Sequence, residues 1–268
     1  MSRIERTFRD LKSNNKKALI SFVTAGDPNE EWTIPILDTL VEGGVDILEI
    51  GIPFTDPEAE GPSIQASSER GLSQGMTLVK VLELVGGFRK DNGITPVVLM
   101  GYLNSILAMG IEHFAEKASR AGVDGLILVN LPPEEADQIS VALSNSDINL
   151  IFLVAPTTTK QRAQMIAEHA SGFIYYVSLK GITGANHLQI DSVAENVGFL
   201  REISSLPIAV GFGIKNAESA AAISKFSDGV VVGSRLVDLI AEHSTLLEET
   251  RSRLLAEVTQ MREAIDET

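Results

Sequence analysis

The chain has 268 residues, 44% of them hydrophobic, which suits one large core and excludes a disordered chain. A formal net charge of −14 opposes any polyanion and argues against nucleic acid, while apolar runs no longer than strands argue against a membrane span. There is no cysteine, so disulfides, thiol catalysis and cysteine-bound zinc are excluded, and a reducing, cytoplasmic setting is expected.

In chain order, the first twelve residues lack an apolar signal region. Ile4, Phe8 and Leu11 instead mark one face of an amphipathic helix. Eight stretches then read as buried parallel strands. They begin at Ala18 (ALISFVTA), Asp46 (DILEIGIPF), Pro96 (PVVLMGY), Gly125 (GLILVNL), Asn149 (NLIFLVAP), Gly172 (GFIYYVSL), Pro207 (PIAVGF) and Gly229 (GVVVGS). Each is rich in Ile, Val and Leu and ends in Gly, Pro or a small polar residue. Helical patterns separate them, among them Glu31–Glu42, Gly110–Ala121, Glu134–Leu143, Lys160–His169 and Ala217–Lys225. The last stretch, from Leu236 to Thr268, reads as one helix with a solvated, mixed-charge face. Eight strand–helix alternations predict an α/β fold, a (β/α)8 TIM barrel with an additional N-terminal helix, over one domain spanning 1–268. An open doubly wound sheet is the alternative.

Two connections are longer than packing requires: Thr55–Ser63 after the second strand and Lys180–Ser192 after the sixth. Both belong to the C-terminal face, where barrel sites form. On that face three glycine turns follow consecutive strands: Gly181–Gly184, Gly211–Gly213 and Gly233 with Ser234. Glycine lets backbone approach a phosphate closely, and helix N-termini add partial positive charge. Gly184, Gly213, Gly233 and Ser234 are therefore candidate phosphate-binding residues, although glycine at a strand–helix junction is also ordinary turn chemistry.

Glu49 sits late in the second strand, where period two puts it on one face with Ile47 and Gly51. If that face is the barrel interior, desolvation raises its pKa, which suits a general acid–base. A buried structural carboxylate paired with a base is the alternative, but strands one, three, four and five carry no Lys or Arg. Glu60, near Asp56 and Glu58, reads either as a solvated loop acid or as a second carboxyl placed over the mouth. Tyr175 and Tyr176 must face opposite ways, and Tyr175 could donate to Glu49 or to substrate or be a satisfied core tyrosine. Four histidines show no metal-site spacing, and no P-loop, G-x-S-x-G or HExxH pattern occurs, so no metal is expected.

The run LEIGIPFTDPEAEGPSIQ, from Leu48 to Gln65, resembles the second-strand signature of the tryptophan synthase alpha subunit family. The likeness continues collinearly through FVTAGDP, VVLMGYLN, YYVSLKGITG, VGFGIK and VVGS, and so covers essentially the whole chain. The resemblance implies a carbon–carbon lyase that cleaves indole-3-glycerol phosphate to indole and glyceraldehyde 3-phosphate. It implies Glu49 as the catalytic acid–base and position 60 as the second acid, with Tyr175 near the glycerol chain and Thr183 ordering that acid. Phe22, Met100 and Ile127 would line the indole slot. Partner contact would fall at Asp56, Asn104 and Asn130, against a beta subunit in an αββα complex. No cofactor is expected in this chain; pyridoxal phosphate would belong to the beta subunit. Two departures stand out: Glu60 and Asn130 occupy positions where the family usually has Asp. Competing readings are another phosphate-binding barrel enzyme, or a catalytically weak barrel that mainly activates the beta subunit.

Overall fold

All eight predicted strands form, and nearly every strand residue is buried, which is why they read as unbroken apolar runs. The computed structural model describes residues 1–177, 187–211 and 213–268, with the side chains at 187–189 outside the description. The strands are β1 (Ala18–Thr24), β2 (Ile47–Gly51), β3 (Val97–Gly101), β4 (Gly125–Leu128), β5 (Asn149–Val154), β6 (Ile174–Val177), β7 (Ile208–Gly211) and β8 (Gly229–Val232). Each pairs in parallel with the next, and β8 returns to β1, so the sheet is a closed barrel and not an open one. The helices are α1 (Arg3–Ser13), α2 (Glu30–Glu42), α3 (Pro62–Ser73), α4 (Leu78–Phe88), α5 (Leu103–Met109) and α6 (Ile111–Ala121). They continue with α7 (Asp137–Ser144), α8 (Lys160–His169), α9 (His187–Ile203), α10 (Ala217–Ser224), α11 (Ser234–Glu242) and α12 (Leu247–Asp266). Among the described residues no helix is long and apolar enough to cross a membrane.

Two apolar clusters divide the interior. The outer one packs the helices on the barrel; the inner one fills the barrel with Ile20, Ile47, Val98, Ile127, Ile151, Phe173 and Val231. α1 belongs to the inner cluster. Its Ile4 and Phe8 close the N-terminal end, with the Phe8 ring 5.7 Å from that of Phe173. The amphipathic face read from the sequence is therefore a plug. A capping box starts this helix: Glu5 N–H donates to Ser2 Oγ (3.2 Å) and Ser2 N–H to the Glu5 carboxylate (3.0 Å).

The same end is clasped by three aspartates that each precede a strand. Asp46 accepts from Leu19 N–H (2.8 Å), Asp124 from Val97 N–H (2.8 Å) and Asp228 from Ile208 N–H (2.9 Å). Each thereby ties its own strand to the start of a neighbour, and each also meets an arginine: Arg262, Arg89 and Arg201 in turn.

Three expectations about elements need correction. The stretch from Leu236 onward is two helices, not one. α11 stops at Glu242, and the break to α12 is tied by Thr250 Oγ1 donating to His243 O (2.7 Å). The connection expected to run to Ser192 is shorter, because helix α9 begins at His187. The pattern over Glu134–Leu143 is a 3-10 turn (Pro133–Glu135) followed by α7, since Ala136 separates the two as a cap.

Candidate active site

Barrel geometry places odd-numbered β2 residues inside. Glu49 lies in register between Phe22 of β1 and Val98 of β3, so its neighbours across the sheet are apolar. It is 1% exposed, and neither carboxyl oxygen has a hydrogen-bond partner among the described residues. Burial, reinforced by the charge of Glu60, pushes its pKa up to about 8. A group left this unsatisfied is costly to hold buried unless it stays protonated or is completed by a ligand.

Above Glu49 opens a cavity of about 390 Å³. Phe22, Met100, Val129, Leu153 and Tyr175 form its apolar wall, and Glu60 faces it from the loop after β2. Glu60 is half-buried, whereas Asp56 and Glu58 are exposed, so the loop acids divide between cavity and solvent. Burial raises Glu60 to about 7. The loop holds it there by short contacts. Glu60 N–H donates to Pro57 O (3.0 Å), Gln65 Nε2 donates to Glu60 O (2.8 Å), and Ala59 N–H donates to the Tyr102 hydroxyl (3.0 Å). Tyr102 is itself fixed by stacking on Phe54, with ring centroids 4.8 Å apart and planes at 17°.

Tyr175 lines the cavity and Tyr176 is buried in the outer cluster, as their opposite facing requires. Tyr175 makes no hydrogen bond to Glu49 here, since both Glu49 oxygens are unpartnered. Burial and the nearby Glu49 charge hold its hydroxyl well above the usual tyrosine range, so it keeps its proton and can only donate or accept a hydrogen bond. Its ring lies over Gly211, where a β-carbon would collide with the hydroxyl.

Across the mouth, Gly213, Lys215, Gly233 and Ser234 complete the lining. Gly213 adopts φ +83°, a conformation that side-chain-bearing residues rarely take. Two helix N-termini open beside it. α10 is capped by Asn216, which accepts from Ser219 N–H (2.9 Å), and α11 begins at Ser234 after Gly233. The arrangement offers backbone donors and dipole charge to a small anion.

Other expected residues fall elsewhere. Ile127 is fully buried in the inner cluster, paired across the sheet with Met100, and Val129, two residues on, lines the wall. Thr183 and Gly184 lie outside the described residues. Asp56 and Asn130 are exposed on the loops after β2 and β4, and Asn104 is exposed in the first turn of α5. Asn130 ties the loop after β4 to the start of α5, accepting from Leu103 N–H (2.8 Å) and donating to the Asn104 side chain (3.1 Å). The sequence reading gave no role to Val129, Leu153, Tyr102 or Lys215. Strand alternation from Ile127 and Ile151 could have found the first two. The contact from Tyr102 to Ala59 spans 43 residues and has no local signal.

Fold and site together define a (β/α)8-barrel enzyme built for acid–base chemistry, with two raised carboxyls at the C-terminal mouth. Comparison with known proteins narrows the class. Residues 8–266 match the family described as tryptophan synthase alpha chain, and the chain belongs to that family. It is 51% identical over 266 residues to the tryptophan synthase alpha chain of Marinobacter nauticus, covering 99% of this chain and 98% of that one. The Dechloromonas aromatica relative is 50% identical, with 100% and 99% covered. The crystal structure of tryptophan synthase subunit alpha from Legionella pneumophila superposes with a TM-score of 0.94 at 43% identity, over 100% of both chains.

Proposed function

We propose that this chain, as a single barrel domain, cleaves indole-3-glycerol phosphate to indole and glyceraldehyde 3-phosphate in a retro-aldol reaction. The observation that carries the reading is Glu49: a fully buried carboxyl, without partners among the described residues, at the base of an apolar slot. With a pKa of about 8 it is mainly protonated at neutral pH and can give its proton to indole C3. Protonation puts positive charge on the indole nitrogen. Glu60, at about 7, is substantially ionised at neutral pH and stabilises that charge. Glu49, now a carboxylate, takes the proton of the side-chain hydroxyl next to the scissile bond. The carbon–carbon bond breaks, its electrons return to the indole ring, and the aldehyde forms. One proton leaves Glu49 and one returns, so the site ends as it began.

Phe22, Met100 and Ile127, with Val129, would hold the indole, with Tyr175 beside the glycerol chain. Gly213, Gly233 and Ser234 would hold the phosphate, with Gly184 and Thr183 supplied by the loop after β6. The exposed Asp56, Asn104 and Asn130 would meet a beta subunit in an αββα assembly in the cytoplasm. That partner would carry the pyridoxal phosphate and receive the indole. Because Asn130 holds Asn104 and the start of α5, its difference from the family's usual Asp alters the face without dismantling it.

The test supplies indole-3-glycerol phosphate to the purified chain, with and without beta subunit, and measures indole by absorbance or chromatography. Indole release supports the reading; none in either setting sinks it. The longer reach of Glu60 favours one second reading, a barrel that only activates its partner. Stimulation of the beta reaction without any cleavage would establish that one instead.

A further inference from the structure

The charges around the cavity are unbalanced for a phosphorylated substrate. Besides Glu49, mainly protonated at neutral pH, the described lining carries two carboxyl groups, Glu60 and Asp238, and a single cationic side chain, Lys215. The chain as a whole carries a formal charge of −14. A phosphate approaching as a dianion meets a repulsive field, and the helix N-termini supply only partial charges of about half a unit each. Uncharged backbone donors orient such a group but leave its charge uncompensated.

Lys215 is placed to compensate it. It follows Gly213 on the loop after β7 and faces the same space as Gly233 and Ser234. Its backbone is pinned, because Lys215 N–H donates to Ser219 Oγ (3.2 Å) within the cap of α10. Its ammonium is not. Ten of the chain's arginines and two lysines make ion pairs among the described residues, and Lys215 is in none of them. The residues outside the description, 178–189 by side chain and Phe212, include no Asp or Glu that could claim it.

We propose that Lys215 is a further substrate-binding residue, its ammonium providing the side-chain counter-charge for the phosphate dianion held at Gly213, Gly233 and Ser234. The proposal rests on the phosphate reading of that rim. Lysine suits the task as a compact charge on a long stem that can follow the phosphate as it enters. Because Lys215 is exposed, its attraction is screened by salt, so the effect is one of capture more than of chemistry.

Lys215→Met and Lys215→Arg, made in the full chain, test this with indole-3-glycerol phosphate as substrate and glycerol 3-phosphate as a competitive probe. Lys215→Met is expected to raise KM and the glycerol 3-phosphate inhibition constant about tenfold, the loss of one charge-assisted contact. The fall in kcat is much smaller. Lys215→Arg recovers most of the binding, and added salt raises KM more steeply in the wild type than in Lys215→Met. An unchanged inhibition constant in Lys215→Met, with the wild type normally inhibited, overturns the role of Lys215 and leaves the phosphate rim standing. If glycerol 3-phosphate fails to inhibit even the wild type, the rim reading itself falls, and the proposal with it.

Discussion

Asp124 and Glu49 are buried carboxyls at opposite ends of one barrel, and they are treated in opposite ways. Asp124, 4% exposed, takes Arg3 (2.8 Å), Arg89 (2.6 Å) and the Val97 N–H (2.8 Å). Glu49, 1% exposed, takes nothing among the described residues. The N-terminal end, plugged by Ile4 and Phe8, spends its charges on holding strands together. The C-terminal end pairs Asp27 with Arg70 but leaves Glu49 and Glu60 facing the apolar cavity. A barrel that pairs Asp124 below and leaves Glu49 without a partner above, among the described residues, is tied together at one end and prepared for chemistry at the other.

That contrast can be broken first at Glu49. Glu49→Gln is expected to cut indole release by about 10³-fold or more, because a single group gives and takes the protons. The same variant should be more stable than wild type in alkaline solution. The folded-state pKa of Glu49 is raised from 4.5 to about 8, so the folded protein binds the proton more tightly than the unfolded chain. That favours folding at low pH, and the advantage is lost as pH rises through about 8. Thermal melts of both proteins at pH 6 and pH 9 would show it; equal melting differences at the two pH values would contradict an unpartnered Glu49.

The converse experiment is at the closed end. Asp124→Ala strands two arginines and a strand N–H, and should destabilise the fold by about 3 kcal/mol by denaturant titration. In the folded fraction, KM and kcat should stay close to wild type. A selective loss of kcat would mean the two ends are not separable.

Ionisation of the pair sharpens the picture of the open end. Activity should need Glu49 protonated and Glu60 ionised, so kcat/KM falls about tenfold per pH unit well above 8 and well below 7. The apparent values belong to the coupled pair. A profile flat from pH 5 to 10 would remove both acids from the mechanism.

Gly213→Val adds a β-branched side chain at φ +83° on the rim and should raise KM about tenfold with a smaller change in kcat. The smallest effect is expected at Tyr102→Phe, which leaves Ala59 N–H without its 3.0 Å acceptor. A fall in kcat of about threefold, with an unchanged melting temperature, would mark Tyr102 as a positioning residue for the Glu60 loop. A lowered melting temperature with unaltered kcat would make it structural only.

Local chemistry made much of this legible in the sequence. Eight apolar runs appear at the right places because strands buried on both faces need continuous Ile, Val and Leu. Period two put Glu49 on one face with Ile47 and Gly51, and the glycines at 213 and 233 marked the rim because backbone conformation is written in residue type. The second-strand run from Leu48 to Gln65 carried the family. Tertiary structure alone decided which face of β2 turned inward, because closure of β8 on β1 is a pairing between distant segments. It also decided that Glu60 faces the cavity while Asp56 and Glu58 face solvent, through contacts that reach from Tyr102 and Gln65 to the loop. Ile127 shows the limit from the other side. A strand residue's face can be read from alternation, but how far it is covered depends on its neighbours, and their packing left Ile127 fully buried beside Met100 while Val129 lines the wall.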